Sequence, residues 1–324
     1  YKIFHMGHSG AMLTWFYFFG NLKSPLMIDY IQDRDIWTKQ LPNTDDFASW
    51  FYTLPLKFEE YEKYQCDEVL LEMIKNKGIP YGELNNYYIA QSVNHATPKF
   101  CKIKDKYYFV AYVNSTICKS DIGNRIFTKF PLIDFSAVYS ISDNSDSTSF
   151  SLRSTDKHSD VSEIAFSLGH GGHACASGVR LDYVTNTIGK VYDNGQLYKL
   201  LDNVYFGKLV CDVEYNVTYL YSSTHKYELA NYLMQKKYTD KDKYNIQVSE
   251  NLYRIKNSSN EKYKSNIAVI LDYDVPNAIT EYNILFDNSL TSNIKKNILA
   301  KYGKDSESEN KFVTFKISGL CGYL

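Results

Sequence analysis

Apolar positions in residues 1–98 recur with a helical spacing. Ser9 can cap a helix over residues 10–19, and Gly20 can end it. Nearly every position of that helix is apolar, so we expect it to be buried on most sides. The segment 77–80, Lys-Gly-Ile-Pro, joins two of the later helices and predicts an inter-domain hinge. Those further helices are predicted over residues 24–37, 44–51, 57–77 and 82–95.

The pattern changes after Pro98 to short runs that are rich in aromatic and β-branched residues. Ser120 and Asp160 each come directly before a helical pattern, and Asp160 with Glu163 resembles a capping box. The resulting β-α-β-β-α order predicts a small mixed α/β domain of about 90 residues. The strands of this domain are predicted over residues 107–114, 135–142 and 149–153.

From about residue 185 onward the pattern is weaker. It predicts strands over residues 217–221 and 268–271 and helices over residues 224–237 and 291–302. The whole chain is therefore predicted to have an α/β fold. Its predicted regions are a helical segment 1–98, a mixed domain 99–185 and an α/β extension 186–324 of unknown role.

Bulk composition excludes several classes of protein. The chain of 324 residues has a formal net charge of -1, so phosphate binding must come from a local site rather than from a general positive field. No apolar run reaches the ~20 residues that a membrane span needs. The six cysteines form no Cys-x-x-Cys pair, which argues against a zinc ribbon or a redox motif. We expect reduced thiols and a cytoplasmic protein.

The segment around residues 169–178, Gly-His-Gly-Gly-His-Ala-Cys-Ala-Ser-Gly, carries the clearest chemistry. Closely spaced glycines such as Gly171 and Gly172 let backbone amides approach a phosphate or carboxylate, and His173 adds a donor. The small residues that follow suggest tight packing behind the loop. The alternative is a plain turn between helix and strand, which glycine clusters usually mark.

Arg153 stands at the end of a predicted strand, ahead of this glycine segment. Its planar guanidinium can hold a phosphate through two parallel hydrogen bonds, which lysine cannot copy. The alternative is a surface arginine at a strand end. Arg153 is therefore a candidate for holding a phosphate.

These motifs, in this order, resemble the substrate-binding domain of DHH-family phosphoesterases. The family loop reads Gly-Gly-Gly-His-x-x-Ala-Ala-Gly. The present chain keeps Gly171, Gly172, His173 and Gly178, and it departs from the family at His170 and Ser177. The segments that carry the resemblance are residues 120–124, 134–139, 151–155, 160–165 and 169–178.

Residues 4–15 and 30–37 resemble the end of the catalytic domain in the same family. The similar branch contains oligoribonucleases (nanoRNases) and cyclic-nucleotide phosphodiesterase-like proteins. There, the aspartate at the position of Asp33 looks like a metal ligand, although helix aspartates are more often solvated surface groups. The chain contains no Asp-His-His triplet. We therefore expect that an N-terminal part of the catalytic lobe is missing from it.

The resemblance implies a two-lobed phosphoesterase: a partial helical catalytic lobe, a small mixed α/β substrate-binding lobe and a C-terminal extension. It further implies Mn²⁺-dependent hydrolysis of short oligonucleotides or small nucleotides, with this chain carrying mainly the substrate-binding half. In that interpretation, Arg153 and His173 hold phosphate oxygens.

Two alternatives stay open. One is a non-catalytic RNA- or nucleotide-binding module, because a similar domain ends alanyl-tRNA synthetases and looks RNA-binding and dimer-forming there; a homodimer is then an expectation as well. The other is a structural protein with a vestigial loop.

Overall fold

The computed structural model describes residues 5, 7–210, 214–238, 263–277, 279–287, 307–309 and 312–318. The chain divides into two compact units, Tyr1–Asn94 and His95–Leu324. The fold is mixed α/β, as the sequence predicts. In the described part of the chain, no helix combines the length and the apolarity that crossing a membrane requires. The helix predicted over 291–302 lies outside the described residues.

The first unit is helical. Its core packs aromatic and aliphatic side chains such as Tyr30, Phe47 and Leu70. A π-helical turn, Ile74–Gly78, connects its last two helices. The helices are α1 Gly10–Phe19, α2 Leu26–Asp35, α3 Thr44–Phe51, α4 Phe58–Glu62, α5 Asp67–Met73 and α6 Ile79–His95.

Helix α1 forms as predicted but is far more exposed than predicted. The Ser9 hydroxyl accepts a hydrogen bond from the Met12 amide at 3.2 Å, and Gly20 ends the helix with a positive φ of 59°. Met12 is the buried residue of this helix among those described. Tyr17 and Phe18 are 55% and 69% exposed. The expectation of burial on most sides was wrong, because an all-apolar pattern does not say which neighbours cover it.

The hinge predicted at residues 77–80 is helical instead. The Ile79 amide donates to the Ile74 carbonyl, a π-type bond that carries the helix into α6. Pro80 is the second residue of α6, directly after the π-helical turn. A Cβ at Gly82 would overlap the Asp46 carboxylate, so glycine there permits close packing against α3. Dense local packing makes this joint part of the helical unit.

Within the described residues, seven strands of the second unit form one sheet in the order β5-β6-β4-β3-β2-β1-β7. Strands β2 and β3 are parallel and are joined through α7, while the other neighbours are antiparallel. The elements are β1 Thr97–Ile103, β2 Lys106–Asn114, α7 Lys119–Lys129, β3 Phe135–Ser142, β4 Ser147–Arg153, α8 Val161–Ser167, β5 Gly171–His173, β6 Ala176–Leu181 and β7 Lys190–Asp193, with a 3-10 turn at Asp143–Ser145.

The predicted strand over 135–142 matches β3, and the predicted cap at Asp160 is present. The Asp160 carboxylate accepts from the Ser162 amide at 2.8 Å and the Glu163 amide at 3.4 Å. Strand β7 pairs with β1, so residues beyond the predicted boundary at 185 contribute to the same sheet.

A second sheet has the order β14-β15-β13-β12-β9-β8 among the described residues. Side chains of α9, such as Leu229 and Leu233, share a core with Phe109 of the first sheet and Ile270 of the second. The remaining elements are a 3-10 segment Leu197–Asn203, β8 Tyr205–Val210, β9 Glu214–Tyr221, α9 Lys226–Gln235, β10 Lys237–Tyr238, β11 Tyr263–Lys264, β12 Ile267–Asp274, β13 Ile279–Phe286, β14 Glu307–Glu309 and β15 Phe312–Ser318.

Candidate phosphate-binding site

The two faces of the first sheet differ where β4, β5 and β6 meet. Successive strand residues point to opposite faces. Leu152 points into an apolar core with Val161 and Ile164 of α8. Arg153 points to the other face, under α7, where a Cβ added to Gly123 would lie 2.7 Å from its Cγ. Glycine in α7 therefore lets the helix lie directly on the arginine stem.

The guanidinium of Arg153 is half-buried and held in place by two hydrogen bonds. One nitrogen donates to the Leu152 carbonyl at 2.7 Å and another to the Ser120 hydroxyl at 2.6 Å. Burial lowers the pKa of Arg153, and the nearby Asp121 carboxylate opposes that effect. A guanidinium has five N–H donors and stays charged in proteins. The two protein acceptors therefore leave donors for a further partner.

The glycine segment forms a β-hairpin. Strands β5 and β6 pair His173 with Ala176 across a turn at Ala174 and Cys175. The Ala174 carbonyl accepts from the Val161 amide at 2.9 Å, and the Cys175 carbonyl accepts from the Ser154 amide at 3.0 Å. The turn is thus fixed against the start of α8 and the end of β4.

Strand register places Arg153 and His173 in one row, by which we mean residues paired across neighbouring strands. Arg153 pairs with Ala176, and Ala176 pairs with His173. Neighbouring strands lie about 4.8 Å apart, so the two Cα atoms are about 10 Å apart with only a methyl group between them. The next row on the same face consists of Ser151, Gly178 and Gly171.

We call these six residues, Arg153, Ala176, His173, Ser151, Gly178 and Gly171, the open face. Gly171, Gly178 and His173 are exposed. A Cβ at Gly171 would meet nothing within 4 Å, and one at Gly178 would approach only the Phe150 carbonyl oxygen, at 3.9 Å. Neither glycine has a left-handed φ. Neither backbone strain nor packing therefore requires glycine at these two positions.

Gly172 has a different role. A side chain at this position would point to the opposite face of the sheet from the open face, and the φ of Gly172 is +152°. A Cβ there would lie 2.5 Å from the Ser177 Cα. Glycine at this position serves the close approach of β5 to β6 rather than a ligand.

Asp33, the predicted metal ligand, belongs to the first unit and is 6% exposed. One of its oxygens accepts from the Thr38 hydroxyl at 2.6 Å and the Gln40 amide at 2.8 Å. The other accepts from the Leu41 amide at 3.0 Å and the Thr44 hydroxyl at 2.5 Å. An ion could reach this carboxylate only by displacing these donors.

The electrostatics of Asp33 agree with that geometry. Burial alone would raise the pKa of Asp33, but the hydrogen bonds from two hydroxyls and two amides outweigh burial and lower the pKa to about 2. The carboxylate holds a loop in which Trp37, Lys39 and Asn43 have positive φ values of 63°, 48° and 61°. Such conformations are strained in residues other than glycine.

The structure thus brings Arg153, Gly171 and His173 together, turns Gly172 away from them and places Asp33 in the other unit. The sequence interpretation took Ser120 as a helix cap, but α7 begins at Lys119 and the Ser120 hydroxyl holds Arg153 instead. The interpretation also misjudged the small residues Ala176 and Gly178. They line the open face instead of packing behind a loop. The sequence did contain a signal for this strand. In residues 176–180, Ala-Ser-Gly-Val-Arg, small or polar positions alternate with Ser177 and Val179, as expected for a strand whose successive residues point to opposite faces.

No protein-family model matches the chain. An uncharacterized protein of Acanthamoeba polyphaga mimivirus is 36% identical over 178 residues, which make up 55% of this chain and 42% of that protein. The match therefore spans less than half of the relative's length.

Two solved structures are distantly similar. The pGpG-specific phosphodiesterase PggH from Vibrio cholerae has a TM-score of 0.29 and 12% identity, covering 53% of this chain and 68% of that chain. An uncharacterized protein from Helicobacter pylori has a TM-score of 0.23 and 16% identity, covering 50% of this chain and 55% of that chain. TM-scores this low do not establish a shared activity.

Proposed function

We propose that this chain binds the phosphate of a nucleotide or short oligonucleotide on the open face, as the substrate-binding part of a metal-dependent phosphodiesterase. One observation carries the proposal: a stretch of the sheet without side chains, at Gly171 and Gly178, lies on the same face as a fixed guanidinium. Phosphate needs room for its oxygens and several donors aimed at them. A folded sheet normally fills such positions with side chains.

Arg153 would make the main contact. Its position is fixed before a ligand arrives, because Ser120 and Leu152 already accept two of its hydrogen bonds. Preorganisation lowers the entropy cost of binding. His173, on the far side of Ala176, would donate to the same phosphate from the edge of the sheet.

The described residues do not fit the Mn²⁺ centre that the resemblance implies. Among them, no three His, Cys, Asp or Glu side chains are grouped so that they could hold an ion. Both oxygens of Asp33 already accept hydrogen bonds. Two-metal hydrolysis needs several such ligands, so we assign no catalytic step to these residues. Manganese dependence of hydrolysis stays a prediction.

The second candidate function is a non-catalytic nucleotide- or RNA-binding module. The satisfied carboxylate of Asp33 favours it, since the aspartate predicted as a metal ligand serves the loop at 37–43 instead. This alternative uses the open face in the same way, and it differs in expecting no hydrolysis.

The test combines binding and hydrolysis. A 5′-phosphorylated RNA dinucleotide is titrated calorimetrically in EDTA, and its cleavage is then followed with added Mn²⁺. Arg153→Ala should lower affinity about 10- to 100-fold, since charge-assisted hydrogen bonds contribute about 1.5–3 kcal/mol. The affinity of Arg153→Lys should lie between those of Arg153→Ala and the unmodified protein, because lysine keeps the charge and loses the two parallel N–H donors of the guanidinium.

Lys190→Ala is the matched control, because it removes one positive charge from β7 at the far edge of the sheet. It should bind like the unmodified protein. Equal affinities for Arg153→Ala and the control would remove the open face from consideration. Binding that responds to Arg153 without any Mn²⁺-dependent cleavage would favour the non-catalytic module.

A further inference from the structure

We propose that Lys119 and Arg180 form a second anion subsite beside the open face, so that the preferred ligand is an oligonucleotide with several phosphates rather than a mononucleotide. This inference rests on the proposed function of the open face. It uses two cations that neither the motifs nor the proposal above has assigned.

Strand register places the second pair of cations on the same face as Arg153. Ser149 lies two positions before Ser151 on β4, and Arg180 lies two positions after Gly178 on β6. Residues two apart on a strand share a face, so Ser149 and Arg180 extend the face that carries Ser151 and Gly178. Both Ser149 and Arg180 are exposed.

The same row continues onto β3. Ser149 pairs with Arg180 on one side and with Ser140 on the other. Lys119 reaches the row from the first turn of α7, where its ammonium donates to the Ser140 hydroxyl at 2.7 Å. Burial lowers the pKa of Lys119. The lysine is therefore held above the sheet at the β3 end of the row.

Arg180 lies across Ser149, at the β6 end of the row. Its Nε is 3.8 Å from a carboxylate oxygen of Asp182. Both groups of that ion pair are well exposed. Because exposed ion pairs contribute little free energy, this pair competes weakly with a ligand.

The two cationic rows repeat one arrangement. Arg153 and His173 flank Ala176, and Lys119 and Arg180 flank the exposed Ser149. The uncharged row of Ser151 and Gly178 lies between them. Rows on one face are about 6.7 Å apart, so the two cationic rows are about 13 Å apart. A chain of nucleotides can present phosphates to both rows, whereas a mononucleotide can occupy only one.

The experiment compares two probes in EDTA, uridine monophosphate and a 5′-phosphorylated RNA trinucleotide. The double variant Lys119→Gln/Arg180→Gln should lose about tenfold in trinucleotide affinity, equivalent to one strong charge-assisted contact, and keep its mononucleotide affinity. Its affinity should also depend less on salt, because the slope of log K against log salt is about 0.7 per phosphate contact in single strands.

Lys106→Gln/Lys190→Gln is the charge-matched control on β2 and β7, and Arg180→Gln alone keeps the test decisive if the double variant unfolds. Unchanged trinucleotide affinity, or an equal loss for both probes, would overturn the second subsite. If the second subsite is overturned but Arg153→Ala lowers the affinity for both probes, the proposed function of the open face still holds. No binding of either probe by the unmodified protein would overturn both.

Discussion

Asp33 and Arg153 were both predicted from the sequence to bind a ligand. In the structure, the loop around Asp33 and the open face around Arg153 satisfy their charged groups in opposite ways. The Asp33 carboxylate accepts four hydrogen bonds from its own loop. The Arg153 guanidinium has two protein acceptors and shares a face of the sheet with glycines that have open space above them. One charged group is fully used by the fold, and the other keeps donors for a partner.

That difference distinguishes a structural charge from the binding charge that we propose. Buried charges need partners, and the chain supplies all of them to Asp33. A binding group has to be positioned and still incompletely satisfied. Residue type and sequence position do not distinguish the two cases, because only the folded chain shows how many partners each group has.

The greatest loss should follow Asp33→Asn. The amide would present an N–H to donors that now meet an oxygen, so we expect the first unit to lose about 3 kcal/mol of unfolding free energy. Urea unfolding can be followed by tryptophan fluorescence, since Trp15, Trp37 and Trp50 are the three tryptophans of the chain. Asp35→Asn, at an exposed position of the same helix, is the control. Similar losses in both variants would contradict a special role for Asp33.

A somewhat smaller effect should appear with pH. The pKa of Asp33 is about 2 in the folded chain, against an ordinary value of 3.8. Its stabilisation is therefore complete above about pH 4 and is lost as the pH falls toward 2, by about 2 kcal/mol. Unfolding curves between pH 5 and pH 2.5 should show this loss in the unmodified protein. If Asp33→Asn showed the same slope, other carboxylates would be responsible.

The third effect contrasts two adjacent glycines. Gly172→Ala should cost about 1–2 kcal/mol, because the new methyl group meets the Ser177 backbone. Gly171→Ala should change stability by less than about 1 kcal/mol, since its methyl group enters open space. Thermal unfolding of the two variants measures the difference. Equal losses of stability in the two variants would mean that other groups pack against the open face at Gly171.

Much of the second unit could be predicted from the sequence. A short run rich in aromatic and β-branched residues identified β3, and the Asp160 cap identified the start of α8. The proximity of Arg153, Gly171 and His173 could be inferred, because they lie close in sequence around one helix. The hairpin that carries Gly171 and His173 was missed, since a three-residue edge strand has too few positions for a period to show.

Other features depend on long-range packing and could not be predicted. The burial of Asp33 depends on donors from residues 38–44, which no periodic pattern specifies. The exposure of Tyr17 and Phe18 depends on which elements cover α1. Ser120 lies 33 positions before Arg153 in sequence, and only the packing of α7 on the sheet brings the two together.

If phosphate occupies the floor of the open face, Gly178→Val should exclude it. Valine suits a strand, and its Cβ would have only an ordinary contact with the Phe150 carbonyl, so the melting temperature should stay within a few degrees. Calorimetric titration with uridine monophosphate should then show at least about a tenfold loss of affinity, the equivalent of one lost charge-assisted contact. A folded Gly178→Val protein that binds the nucleotide as tightly as the unmodified chain would contradict phosphate binding on this face.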